Sequence, residues 1–227
     1  MDPVQEAIES VEALRKRISD IGEDGLDLLF REARTHNSWT DKPVTDEQIQ
    51  TLYQTVISGP TSGNCLPSRF IFCQTPEAKA RLSPCVAPGN ATKIEAAPVC
   101  VIIGYDPMFW EHLPKLFPHK DMTGRYRDDP AAAESGSFRN STLQGAYLMI
   151  AARAMGLDIG AMSGFDNEAV DKEFFAGTTV KSNFLCNIGY GDTSGLFQKL
   201  PRFEFDEICD VILFQLEDQS WPMQNPR

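Results

Sequence analysis

Apolar positions recur along this chain at two spacings. Between residues 4 and 18 they fall three and four apart with charges between them, the period of an amphipathic helix. Gly22 and Gly25 interrupt that pattern, and Leu26, Leu28, Leu29 and Phe30 start another helix. Thr45-Asp46-Glu47-Gln48 is a capping box, in which threonine and glutamine side chains satisfy backbone groups reciprocally. Ile49, Leu52, Tyr53, Val56 and Ile57 then form one apolar helix face, and Gly59-Pro60 stops it. Residues 69–73 read as a strand, and residues 98–105 as a second one buried on both faces. Short helices are expected after Pro76 and over residues 91–96. The strongest helix, 137–155, is alanine-rich and apolar on most sides, hence central, and Gly156 ends it. A short helix over 168–175 and a third buried strand over 184–190 follow, and 205–214 fits a late helix or an edge strand.

Residues 106–134 obey neither period. Prolines at 107, 114, 118 and 130 and the aromatics Phe109, Trp110, Phe117 and Tyr126 predict an irregular excursion, a kind of segment that is usually functional or mobile. Helices come first and strands separated by helices follow, without a Gly-x-Gly-x-x-Gly turn after the first strand. That order predicts a layered α+β domain and argues against a doubly wound dinucleotide fold. The expected organisation is a helical extension over residues 1–25, then one domain over 26–227 with a lid-like excursion at about 106–135.

The chain has 227 residues, enough for a core that needs no disulfide or metal staple. Its formal net charge of −11 disfavours duplex nucleic acid and anionic membrane surfaces as partners. No apolar run approaches the roughly 20 residues of a membrane span, and the first residues lack a basic then apolar secretory signal, so a cytoplasmic location is expected. The six cysteines form no Cys-x-x-Cys pair, and several sit in apolar runs, which predicts buried free thiols. The three histidines are too scattered to suggest a metal site, and Gly-x-Ser-x-Gly, His-Glu-x-x-His and Walker A motifs are missing.

Four polar clusters carry the candidate chemistry. Arg34-Thr35-His36-Asn37 gathers donors suited to a phosphate, and is equally what a solvated helix end shows. The loop from Gly59 through Pro60-Thr61-Ser62-Gly63-Asn64 to Pro67 can present backbone N–H groups and hydroxyls to a flat polar ligand, or simply connect a helix to a strand. Gly160-Ala161-Met162-Ser163-Gly164-Phe165 would let a planar ring approach the backbone, or is a turn between two helices. Lys199 and Arg202 offer a second phosphate contact or a surface charge pair.

In their order along the chain these clusters resemble the nitroreductase family of flavoproteins. Arg34-Thr35-His36-Asn37 is similar to the family's first motif, and Pro60 to Phe70 to its Pro-Ser-Ser-x-Asn loop. Asn90 and Lys93 match an Asn-x-x-Lys motif, Ser163-Gly164-Phe165-Asp166 the Gly-Phe turn, and Lys199 with Arg202 the final basic pair. The resemblance spans about residues 28–211. Asn37 stands where the family has a second arginine, Leu66 where it has glutamine and Ser68 where it has tryptophan.

The resemblance implies a three-layer α/β/α fold with a mostly antiparallel sheet, in an intertwined homodimer holding two FMN groups. It implies ping-pong hydride transfer from NADH or NADPH through flavin N5, with no protein nucleophile or acid–base pair. Arg34, Thr35, Asn37, Lys199 and Arg202 would bind the FMN phosphate, Asn90 the pyrimidine edge, and Lys93 the N1/O2 side. Met162, Ser163 and Gly164 would approach N5/O4, while Pro60, Thr61, Ser62 and Asn64 would reach the flavin of the partner subunit. Leu116-Phe117-Pro118-His119, Phe138-Arg139-Asn140-Ser141 and Asn187-Ile188-Gly189-Tyr190-Gly191-Asp192 are most similar to the branch that reduces malonic semialdehyde to 3-hydroxypropionate. Arg125, Arg127 or His119 would then read the substrate carboxylate. A nitroaromatic or quinone reductase is the alternative, and a non-catalytic FMN-binding or redox-sensing protein the alternative of another class.

Overall fold

The computed structural model of the chain describes residues 2–212, and the run expected to be buried on both faces lies at its centre. Four strands, β1 (Ser68–Cys73), β2 (Val99–Tyr105), β3 (Asp158–Met162) and β4 (Lys181–Gly189), form one antiparallel sheet in the order β1-β2-β4-β3. Alternation along β2 divides the core. Val99, Val101 and Ile103 pack on one face with Leu52, Val56, Leu148 and Ala152. Cys100 and Ile102 pack on the other with Leu82, Ile94, Val170 and Leu185.

The helices follow from local signals. They are α1 (Pro3–Arg17), α2 (Gly22–Leu26), α3 (Asp46–Val56), α4 (Pro76–Leu82), α5 (Pro88–Ala96), α6 (Leu113–Leu116), α7 (Thr123–Arg127), α8 (Pro130–Ala154), α9 (Asn167–Phe174) and α10 (Phe205–Ile208). The Thr45–Gln48 capping box opens α3 as expected. α3 and α8 cover one face of the sheet, and α4, α5 and α9 the other, which makes the three layers. At Gly145 a Cβ would land on the Phe184 ring, so glycine lets α8 approach β4 closely.

Several expectations are corrected. Residues 160–162, the start of the 160–165 segment read as a turn, belong to the edge strand β3, because the backbone of 158–162 pairs with β4 from Gly189 to Leu185. α8 starts at Pro130 rather than Ser137: Asp129 caps it by accepting from the Ala132 N–H, and proline is favourable at the first helical position. The excursion is also less irregular than its sequence. It holds a 3₁₀ turn (Phe109–His112), α6 and α7, built around a satellite core of Cys65, Phe109, Leu113, Tyr126 and Ala133. The segment with Gly22 and Gly25 is itself helical and runs on into a π-helical turn, Asp27–Arg31. No helix among the described residues is long and apolar enough to cross a membrane.

The chain divides into two compact units, Met1–Leu196 and Phe197–Arg227. In the second, α10 realises the helical alternative for the last segment, while residues 213 and 214 of that segment lie outside the described residues.

Cys65, Cys73, Cys85, Cys100 and Cys186 are buried free thiols, whereas Cys209 is exposed. Burial pushes the Cys65 and Cys73 thiols up to about 11 and Cys186 to about 12. Since the thiolate is the nucleophile, a disulfide dye at neutral pH should titrate Cys209 rapidly. All 6 thiols should react only after denaturation. Fast reaction of more than one thiol in the native protein would contradict the burial of the other five.

Candidate functional site

Three of the four polar clusters lie in the first unit. Residues 34–37 run beside the free edge of β3: Thr35 bridges Ile159 in parallel, and the His36 N–H donates to the Ile159 carbonyl at 2.9 Å. His36 is buried, with Nε2 3.3 Å from Asp158 Oδ1. The other carboxylate oxygen of Asp158 accepts from the Gly191 N–H at 2.8 Å. Trp39 bridges Gly191, and Ser38 accepts from the Asp192 N–H at 2.9 Å. The histidine therefore acts as an anchor. With it fixed, Arg34 and Asn37 sit half-buried and Thr35 exposed along the sheet edge.

Further along the same strand line, β3 ends at Met162, whose side chain is buried in the second core cluster. Ser163 and Gly164 follow, both exposed. The Asn90 amide of α5 donates to the Gly164 carbonyl at 3.0 Å, and the Ala87 N–H donates to the same carbonyl at 3.1 Å. A Cβ on Gly164 would stand 2.8 Å from Asn90 Nδ2, so only glycine admits this contact. One turn beyond Asn90, Lys93 is half-buried, and its carbonyl accepts from the Asn187 amide at 3.0 Å. Asn90, Lys93, Ser163 and Gly164 are thus brought together. Arg34–Asn37 lies about five strand residues away along β3, roughly 17 Å at the usual rise.

The loop 59–68 is elsewhere. It leads into β1, whose Ser68 is level with Tyr105 of β2 and Lys181 of β4, at the opposite edge of the sheet from β3. Three strand spacings, roughly 14 Å, separate the two edges. Within one chain, Pro60, Thr61, Ser62 and Asn64 therefore do not join Arg34, Asn90 and Gly164. α8 shapes the loop. Asn140 Oδ1 accepts from the Ser62 N–H at 2.8 Å, Gln144 Oε1 from the Ser68 N–H at 3.0 Å, and Tyr147 donates to the Pro60 carbonyl at 2.8 Å. The loop backbone takes left-handed values at Gly63 (58°), Asn64 (51°) and Leu66 (38°). At the two non-glycine residues this is strain held by the surroundings, a pattern that clusters at functional sites. Asn64 donates to the Leu116 carbonyl at 2.9 Å, tying the loop to the excursion.

The excursion is pinned at its base. Asp106 Oδ2 lies 2.7 Å from Arg69 Nη2, and its Oδ1 accepts from Thr179 at 2.7 Å and from the Met108 N–H at 3.0 Å. Beyond it a cleft of about 550 Å³ is lined by Trp110, Tyr126, Glu134, Thr179 and Lys181 among others. Burial and the hydrogen bond to Glu134 push the Tyr105 hydroxyl up. Glu134 is held below the ordinary carboxylate value: burial opposes its charge, but Tyr105 and Lys181 outweigh it. Of the cations expected to read a carboxylate, Arg127 is engaged by Asp128 at 2.8 Å, while Arg125 stacks over Tyr126. Lys199 and Arg202 belong to the second unit, where both are exposed and Arg202 donates to the Leu200 and Pro201 carbonyls.

Sequence reasoning assigned no positioning role to Asn140, Gln144, Tyr147, Asp106 or Asp158. One signal was visible. Ser137, Asn140, Ser141 and Gln144 are polar positions three and four apart in a helix predicted to be central, and buried polar groups need partners.

The chain matches the Nitroreductase family over residues 30–190 and belongs to that family. It is 54% identical over 194 residues to a protein of Burkholderia lata provisionally named NADH dehydrogenase/NAD(P)H nitroreductase, covering 86% of this chain and 100% of that one. A protein of the same name from Rhodopseudomonas palustris is 53% identical over 194 residues, covering 86% and 99%. Among solved structures, the fold is similar to a provisionally named nitroreductase of Exiguobacterium sibiricum crystallised with FMN. The TM-score is 0.72 at 19% identity, covering 85% of this chain and 99% of that one.

Proposed function

We propose that this chain is an FMN-dependent NAD(P)H oxidoreductase that reduces a small carbonyl acid, malonic semialdehyde being the best candidate. The observation that carries the reading is the row of donors along β3. Arg34, Thr35 and Asn37 lie at one end, and Lys93 and Asn90 with the exposed Ser163–Gly164 turn at the other. A guanidinium, a hydroxyl and an amide suit a phosphate, and an ammonium suits the acceptor-rich edge of a flavin ring. The span of roughly 17 Å fits an extended flavin mononucleotide.

When bound, FMN supplies the hydride chemistry that no protein side chain provides. Arg34 binds the phosphate. Asn90 both holds the Gly164 carbonyl and faces the pyrimidine edge, and Lys93 places positive charge where the reduced ring is negative. The exposed loop residues Pro60, Ser62 and Asn64 and the half-buried Thr61, at the far edge of the sheet, complete the site of a partner subunit in a homodimer. The names of the relatives, which include NAD(P)H nitroreductase, favour a second reading on the same fold: reduction of nitroaromatics or quinones. The motifs shared with the malonic semialdehyde branch, and His119 and Arg125 in the excursion, support the first. A reducing cytoplasm suits five buried unpaired thiols.

One stopped-flow series tests this. NADH or NADPH should bleach the flavin absorbance of the FMN-loaded protein, and malonic semialdehyde should reoxidise it faster than a quinone or a nitroaromatic. Faster turnover with either of those would replace the carbonyl acid as acceptor. A flavin that neither nucleotide bleaches would make the protein a binder instead of an enzyme.

A further inference from the structure

His36 is buried, while its neighbours Arg34, Thr35 and Asn37 keep some exposure. Its place is made by two missing side chains: a Cβ on Gly191 would strike the imidazole, and one on Gly160 would strike the His36 carbonyl. Nδ1 is buried with no hydrogen-bond partner among the described residues, and Nε2 faces Asp158 Oδ1 at 3.3 Å. A proton on Nδ1 would be a buried donor without an acceptor, so the proton belongs on Nε2, aimed at Asp158. The carboxylate is itself oriented, since its second oxygen accepts from the Gly191 N–H at 2.8 Å. Gly191 in turn bridges Trp39. The imidazole thus locks together residues 34–37, β3 and the chain after β4.

We infer that His36 is a positioning residue for Arg34, and that its pairing with Asp158 sets the preference of the site for a phosphorylated flavin; this rests on the reading of Arg34 as the phosphate cation. Residues 34–37 belong to no helix or regular strand, so no ladder sets the backbone of Arg34. Thr35 bridges Ile159, and in an extended segment side chains two apart share a face. Arg34 therefore stands on the same side of the sheet edge as His36, two residues from the locked ring. A long cation and its backbone lose freedom when they close on a phosphate, and a backbone fixed in advance lowers that cost. Riboflavin carries no phosphate and makes no use of Arg34. The donors at the other end of the row are held separately, through the Asn90 bond to the Gly164 carbonyl. Loss of the lock should therefore weaken FMN and spare riboflavin.

Fluorescence titration of the full chain, freed of flavin, with FMN and separately with riboflavin tests this. His36→Leu should weaken FMN binding about tenfold, the low end of what a lost charge-assisted bond costs, and riboflavin binding less than about twofold. His36→Gln places an amide N–H near the position of Nε2 and should keep FMN affinity within about threefold of the parent. His36→Asn, whose amide reaches only the position of Nδ1, should behave like the leucine variant. In an Arg34→Ala background, His36→Leu should cost less than about threefold, because the two residues act as one unit. Equal losses for FMN and riboflavin, or a tenfold FMN loss that persists without Arg34, would overturn the positioning role. A glutamine variant as weak as the asparagine one would overturn the pairing with Asp158. A parent that binds FMN no better than riboflavin would overturn the phosphate site and the role of His36 with it, whereas a parental preference left intact by His36→Leu would overturn the role of His36 alone. Circular dichroism confirms folding, and if the leucine variant misfolds, the asparagine–glutamine comparison decides.

Discussion

Mixing two inactive variants should restore about a quarter of the parental activity. Arg34→Ala removes a cation from the proposed phosphate end beside β3. Losing a charge-assisted hydrogen bond costs about 1.5–3 kcal/mol, roughly 10–150-fold in FMN affinity. Ser62→Trp adds bulk to the exposed loop before β1 while leaving the Ser62 N–H free to donate to Asn140. Each homodimer should hold little FMN at micromolar protein. In a shared site, a heterodimer combines the intact Arg34 of one chain with the intact loop of the other, so one of its two sites is good. Random mixing makes half the dimers heterodimers, which gives about one good site in four. Isolated heterodimers should show about half the parental flavin content. The prediction follows from the sheet order, because β1 and β3 are opposite edges and one chain does not bring its own loop to its own β3. Heterodimers without recovery would place the loop outside the flavin site.

Asp106→Ala should be strongly destabilising although it lies away from the donor row. Its carboxylate is buried and receives Arg69, Thr179 and the Met108 N–H. It thereby joins the start of β1, the base of the excursion and the segment before β4. Removing one partner of a buried ion pair costs about 3–5 kcal/mol. Arg69 keeps some exposure and carbonyl partners, so about 3 kcal/mol is expected, or roughly 10 °C in melting temperature. Urea unfolding followed by tryptophan fluorescence checks it. Asp106→Asn keeps one acceptor oxygen, for Thr179 and the Met108 N–H, and loses the one that receives Arg69, so it should lose about half as much. A drop under 1 kcal/mol for the alanine variant would mean that the network does not hold the excursion in place.

Local signals foretold most elements. The capping box placed α3, and the apolar run 98–105 announced the central strand. Where local chemistry was ambiguous the reading failed. Residues 158–162 contain glycine and little β-branching, and become a strand only because β4 offers a free edge. The proline-rich stretch after Asp106 looked irregular, since what orders it is a satellite core with Cys65, a distant loop residue.

The site divides in the same way. The sequence by itself determined the inventory: the polar clusters, the capping and turn residues, the acidic charge and the apolar stripe of α1, because these depend on residue type and spacing along the chain. Only the tertiary structure decided which clusters meet. Pairing between strands distant in the chain set Asn90 against Gly164, laid Arg34–Asn37 along β3 and sent the 59–68 loop to the far edge. Buried polar groups then had to be satisfied wherever the packing left them, which is why Asn140, Gln144, Asp106 and Asp158 acquired their roles only in the fold.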